Sequence, residues 1–71
     1  MKAVAVVVEG PFSEQDRWGD EFPTWAVAAV DDDGETVGKH YTVWSFDKAM
    51  DLGRRMANDR RLSFQSEASP A

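Results

Sequence analysis

The sequence contains no cysteine and a single histidine, and both facts narrow the chemistry open to it. Without cysteine there can be no disulfide, no thiol nucleophile and no thiolate metal ligand. One imidazole excludes any site that needs two histidines. We therefore expect no bound metal, no cofactor and no covalent reinforcement of this chain of 71 residues.

Long apolar runs are missing as well. The most apolar stretch, residues 3–8, stops at Glu9 and Gly10, far short of the roughly 20 residues that span a membrane as a helix. The N-terminus shows only the lone charge of Lys2 and no signal-peptide pattern. The composition, 42% hydrophobic and 30% charged, is typical of a folded domain. Together these features predict a cytoplasmic protein without membrane contact.

The short length predicts a partner. A domain of this size buries only about 60% of the surface of its unfolded chain. One such core rarely supplies more than about 3–5 kcal/mol, and small domains compensate with disulfides, metals or a second subunit. Since the first two are not expected here, self-association as a homodimer is the first expectation, and another protein partner is the second.

Charge is divided unequally along the chain. Residues 1–35 carry nine acids and two bases, whereas residues 36–71 carry four acids and six bases, so the total is −5. Four of the bases lie close together in sequence. This arginine cluster predicts contact with a phosphate group or an acidic partner; the alternative is a solvated helix end that favours cations. Its members are Arg54, Arg55, Arg60 and Arg61.

Periodicity and turn signals predict one α+β domain over residues 1–67 and a disordered tail over 68–71. Strands are predicted near residues 3–8, 24–31, 35–44 and 62–67, and a helix from the N-cap Ser45 to about Asn58. Gly10-Pro11 is expected to end the first strand, with a long loop over residues 11–23. The fold class is therefore an antiparallel three- to four-stranded sheet in β-β-β-α-β order, with one helix packed on one face.

Two glycines carry specific structural predictions. Gly34 follows Asp32 and Asp33, and Asp-Gly favours a type I′ hairpin turn between the second and third strands. Gly53 lies inside the predicted helix, where it costs about 1 kcal/mol relative to alanine. A close approach of the helix to the sheet explains its presence there.

The first two strands are apolar on both faces, so one helix cannot cover the sheet completely. A second subunit is the simplest cover, and the aromatic residues of the 11–23 segment are the alternative. We expect the aromatic residues of strands two and three to form the partner-binding surface. These residues are Trp25, Tyr41 and Trp44.

Residues of catalytic type are present but not in a catalytic pattern. His40 could act as a general base, yet no nucleophile or acid stands at a meaningful spacing from it. The acidic segment 31–35 lacks the ligand order and the helices of a calcium loop. We expect no catalytic residue, no metal site and no enzymatic activity.

Nucleic-acid binding is the main alternative function. Aromatic residues on neighbouring strands can stack on unpaired bases, and the arginine cluster could contact phosphates. The net charge of −5 opposes this binding. The alternative therefore predicts single-strand binding that weakens steeply as salt is added.

A second alternative comes from a resemblance. The strands followed by Ser45-Phe46-Asp47-Lys48-Ala49 and a helix are similar to the small β-β-β-α antitoxin domains of the Hic type, over roughly residues 24–57. The Pro-Asp-Leu-Pro-Gly-like loop of those domains is absent here. The resemblance implies an antitoxin-like, partner-binding role and supplies no functional residue.

Overall fold

The computed structural model describes residues 2–70, so Met1 and Ala71, which the predicted domain and tail include, lie outside the described residues. It contains four strands and one helix in β-β-β-α-β order, which confirms the predicted fold class. The strands form one sheet in the order β3-β2-β1-β4, and the helix packs on one side of it. The elements are β1 Ala5–Gln15, β2 Glu21–Val30, β3 Thr36–Val43, α1 Phe46–Arg60 and β4 Ser63–Ser66.

The core lies between α1 and the two central strands. β1 pairs antiparallel with β2, with Val6 opposite Ala29 and Val8 opposite Val27. Val6, Val8 and Val27 are fully buried. Since side chains alternate along a strand, these residues and Trp25 fill the helix side, and the intervening residues face the other side.

The helix approaches the sheet through its small residues. Ser45 caps its start, because the Ser45 hydroxyl accepts a hydrogen bond from the Lys48 N–H at 3.3 Å. The buried side consists of Ala49, Gly53 and Ala57. A Cβ at position 53 would lie 2.6 Å from Val8 Cγ2, which confirms that a close helix–sheet contact requires this glycine.

The predicted loop over residues 11–23 is instead a β-hairpin, and this corrects the sequence prediction. Pairing continues beyond Gly10 from Phe12 opposite Thr24 to Gln15 opposite Glu21. Gly10-Pro11 does not end the strand; the register shifts there, so the pair acts as a bulge. We call residues 11–23 the hairpin arm.

The side chain of one aspartate closes the tip of the arm. Asp16 Oδ1 accepts hydrogen bonds from the N–H groups of Trp18 and Asp20 at 2.9 and 3.0 Å. Gly19, with a φ of 83°, supplies the left-handed residue that the turn needs.

The last strand differs from expectation in its direction. β4 runs parallel to β1, with Ala5 opposite Ser63, so the sheet is not wholly antiparallel. Backbone pairing with β1 continues beyond the end of β4. The Glu67 N–H donates to the Val8 carbonyl at 2.8 Å, and the Ser69 N–H donates to that of Gly10 at 3.1 Å.

The turn between β2 and β3 is present, but it is not of the predicted type. Gly34 has a φ of 83°, whereas Asp32 and Asp33 do not take the positive φ angles of a type I′ turn. Asp31 holds the turn instead. Its Oδ1 accepts hydrogen bonds from the Asp33 and Glu35 N–H groups at 2.9 and 3.0 Å.

Candidate functional site

One face of the sheet is covered by α1, and the opposite face carries no helix or strand of the described chain. We call this second surface the open face. It is defined by strand alternation and by the observed registers. Its residues are Ala5, Val7, Glu9, Phe12 and Glu14; Phe22, Thr24, Ala26, Ala28 and Val30; Thr36, His40, Thr42 and Trp44; and Ser63, Gln65 and Glu67.

Small apolar side chains form the floor of the open face. Val7 lies opposite Ala28, and Ala5 lies opposite Val30. Ala28 and Val30 are half-buried, while Val7 on the central strand is shielded by its neighbours. A depression of about 260 Å³ lies over Ala5, Val7 and Val30, and its lining also includes the acidic or amide side chains of Glu9, Asp31, Asp32, Gln65 and Glu67. The centre of the floor is therefore built of small apolar side chains, and acidic groups border it.

Aromatic rings stand at one end of this floor. The rings of Phe22 and Trp44 meet edge to face, with centroids 6.0 Å apart at 72°. Trp44 is 75% exposed, and Phe12 is also exposed. We call Phe12, Phe22 and Trp44 the aromatic cluster. Tryptophan is enriched among the residues that dominate binding at protein interfaces, and Trp44 is the most exposed residue of this cluster.

The charge of the open face has one sign. Its described residues include Glu9, Glu14 and Glu67 but neither lysine nor arginine. Lys48, which is not on the sheet, lines a neighbouring depression together with Thr42 and Trp44. Beyond Glu14, the hairpin arm adds the three acids Asp16, Asp20 and Glu21 and one base, Arg17, and Asp16 lies near Phe22 and Trp44. An apolar floor bordered by acids favours a partner that carries positive charges around an apolar stripe.

The structure does not bring the three predicted partner-binding residues together. Trp25 is only 3% exposed; it packs against Phe46 and donates from Nε1 to the Ser69 carbonyl at 2.9 Å. Tyr41 is exposed but lies opposite Val27, on the helix side of the sheet. Trp44 alone lies on the open face. Strand alternation therefore places Trp25 and Tyr41 on one side of the sheet and Trp44 on the other.

The arginine cluster lies around the C-terminal end of α1. Arg55 bridges Asp51 at 2.7 Å, and the guanidinium of Arg54 lies 5.6 Å from the ring centroid of Phe64. Arg60 is the last helical residue and Arg61 is its left-handed cap. At 3.6 residues per turn the four side chains spread around the helix.

The far end of the arginine cluster is separated from the aromatic cluster. Trp44 precedes the start of α1, and Arg61 follows its end, so the 15-residue helix, roughly 22 Å long at 1.5 Å per residue, lies between them. Arg54 and Arg55 lie closer to Trp44 along the helix. The nucleic-acid alternative stays a prediction.

His40 and the acidic residues are the remaining candidates for chemistry. His40 is exposed on the edge strand β3, opposite Ala28. Within residues 2–70 no three acidic, histidine or cysteine side chains converge as metal ligands. No helix over the same residues is long and apolar enough to cross a membrane.

Sequence reasoning missed the contribution of the hairpin arm. Phe12 and Phe22 were placed in a loop, where no face can be assigned to them. The sequence of β2 does contain a pattern that predicts the longer strand. Alternate residues form one series that continues through Pro23: Phe22, Thr24, Ala26 and Ala28. The bulge at Gly10 concealed the matching series on β1.

Comparison with known proteins adds no assignment: no protein-family model matches the chain, and neither a curated protein nor a solved structure is significantly similar to it. The open face must therefore be interpreted from its own geometry.

Proposed function

We propose that this chain is a small, non-enzymatic protein-interaction module that binds its partner through the open face. One observation carries the proposal: the helix covers one side of the sheet, while the other side combines an apolar floor with exposed aromatic rings. Sheets in stable domains bury their apolar faces against another layer. A partner protein supplies that layer here.

The homodimer predicted from the sequence would use the same surface. Pairing two open faces would bring the acids of one copy toward those of the other, because the face carries Glu9, Glu14 and Glu67 without a described lysine or arginine. Juxtaposed like charges cost several kcal/mol at interfaces. The charge pattern therefore supports a different protein as the partner, and a second copy is the competing outcome.

Site-specific photo-crosslinking tests the proposal. A photoreactive benzoylphenylalanine replaces Thr42, which is exposed on the open face, and the chain is irradiated inside cells of its source organism. The matched control places the same residue at Arg55, which is exposed on the outer side of α1. We expect discrete crosslinked species from position 42 and none from position 55.

The masses of the crosslinked species separate the possibilities. A species of twice the chain mass identifies a homodimer through the sheet, and any other discrete mass identifies a different protein. If position 42 gives no species beyond those of position 55, the open face does not bind proteins and the proposal fails.

A further inference from the structure

We propose that the partner presents an amphipathic helix whose apolar side is flanked by lysine or arginine, and that this helix lies along the open face. This inference rests on the proposed function and names the chemistry of the partner. Three features of the open face support it: its small floor residues, its length, and its single sign of charge.

The floor residues suit a helix. On the covered side α1 comes close because its own contact residues are small: Ala49, Gly53 and Ala57. On the open side the sheet supplies the small residues, Ala26 and Ala28, so a helix with larger side chains such as leucine can pack there. An added strand would instead need a sheet edge, since strands pair through backbone hydrogen bonds.

The length of the floor sets the length of the helix. β2 crosses the open face from Phe22 to Val30, which is roughly 26 Å at about 3.3 Å per residue. A helix of about 18 residues covers this distance. At one end the aromatic cluster provides anchoring rings, among which Trp44 is the most exposed.

Charge selects among the possible helices. Glu9 and Glu67 border the floor on the β1–β4 side, and Glu14 extends the same sign onto the hairpin arm. Lysine or arginine beside the apolar side of a docked helix would lie near these carboxylates. An acidic helix would be repelled, and so would the open face of a second copy.

A peptide series tests the inference on the whole chain at physiological salt. The probe is a synthetic amphipathic peptide of about 18 residues with leucine at i, i+3, i+4 and i+7 and lysine on the flanks. One control replaces lysine with glutamate, and the other keeps the composition but scrambles the order. Binding is measured by the change in Trp fluorescence. We expect the leucine–lysine peptide to bind and both control peptides to bind at least about tenfold more weakly.

Variants of the protein locate the binding. Ala28→Arg places a long cation in the centre of the floor and should weaken the leucine–lysine peptide about tenfold or more. Thr42→Arg, at an exposed position on the same face, is the second variant if Ala28→Arg does not fold. Asn58→Ala, at an exposed and uncharged position of α1, should leave the affinity unchanged.

Several results would overturn the inference. Absence of peptide binding, equal binding of the scrambled peptide, or no effect of either open-face variant would each do so. Sedimentation that shows a dimer dissociated by Ala28→Arg would also overturn it, while leaving the open face as a binding surface. The crosslinking experiment decides separately whether that surface binds any protein.

Discussion

At the residue scale, Gly53 shows that local propensity and packing can oppose each other. Alanine normally stabilises a helix interior by about 1 kcal/mol relative to glycine. Here an added Cβ would meet Val8 Cγ2 at 2.6 Å and Phe64 Cε1 at 2.8 Å. Val8 is fully buried and cannot move away without disturbing the core.

Gly53→Ala should therefore destabilise the fold, against the helix-propensity trend. Overpacking a core costs about 1–3 kcal/mol, which exceeds the gain in propensity. Urea unfolding followed by circular dichroism measures the change in the free energy of unfolding. Asn58→Ala, at an exposed helical position, is the control and should be neutral or slightly stabilising. A higher urea midpoint for Gly53→Ala would contradict the close contact.

The side chain of Asp31 stabilises the β2–β3 turn. It is only 7% exposed, and its Oδ1 accepts hydrogen bonds from two backbone N–H groups of the turn. Asp31→Ala should lower the free energy of unfolding by about 1–2 kcal/mol, because those N–H groups lose their acceptor. Asp32→Ala, at the exposed neighbouring position, should change stability by less than about 0.5 kcal/mol. Equal effects of the two substitutions in thermal unfolding would be inconsistent with this role.

At the element scale, the tail is held to the sheet through Trp25. Its Nε1 donates to the Ser69 carbonyl, and the Glu67 and Ser69 N–H groups pair with β1. Trp25→Phe keeps a buried ring but removes this donor. We expect a loss of about 1 kcal/mol and faster hydrogen exchange at the amides of Glu67 and Ser69. Trp44→Phe, which changes an exposed ring, should leave both amides protected; equal exchange in the two variants would argue against the tether.

Local pattern predicted most of the elements, and the failures have identifiable causes. The Ser45 cap and the apolar spacing of α1 are encoded within a few residues, so the start of the helix was predicted correctly. The hairpin arm was missed because Gly10-Pro11 interrupts the alternation of β1 without ending its pairing. The parallel pairing of Ala5 with Ser63 depends on contacts between distant parts of the chain, which local periodicity does not contain.

The candidate site was less predictable than the fold. Both faces of β1 and β2 are apolar in the sequence, so the sequence predicts a second cover for the sheet, and this stays a prediction. The sequence alone does not identify the residues of the open face, because assigning Trp25 to a face requires knowing which side of the sheet α1 covers. Trp44, which the sequence predicts to bind a partner, lies exposed on the open face, whereas assigning Phe12 and Phe22 to that face requires the register of the arm.

At the scale of the whole molecule, the hairpin arm makes the protein elongated. The Cα radius of gyration is 12.6 Å and the dimensions are 40 × 21 × 16 Å, whereas a compact domain of this length has a radius of about 11 Å. The most fully buried core side chains, Val6, Val8 and Val27, all lie outside the arm. The arm therefore extends the open face more than it supports the core.

Shortening the arm should accordingly leave a folded protein. Replacing residues 14–22 with Asn-Gly joins Ser13 to Pro23 by a two-residue hairpin turn. We expect cooperative unfolding with a loss of about 1–2 kcal/mol, and a radius of gyration in small-angle scattering close to about 11 Å. Loss of the helical circular dichroism signal would show that the arm belongs to the folding core.

The parallel pairing of β4 with β1 has a consequence for the protection of β1. β1 is a central strand only while residues 63–66 are paired with it; without them the apolar strand β1 would lie at a sheet edge. Unpaired apolar edges recruit other chains. We therefore expect release of residues 63–66 from β1 to make the protein prone to aggregation.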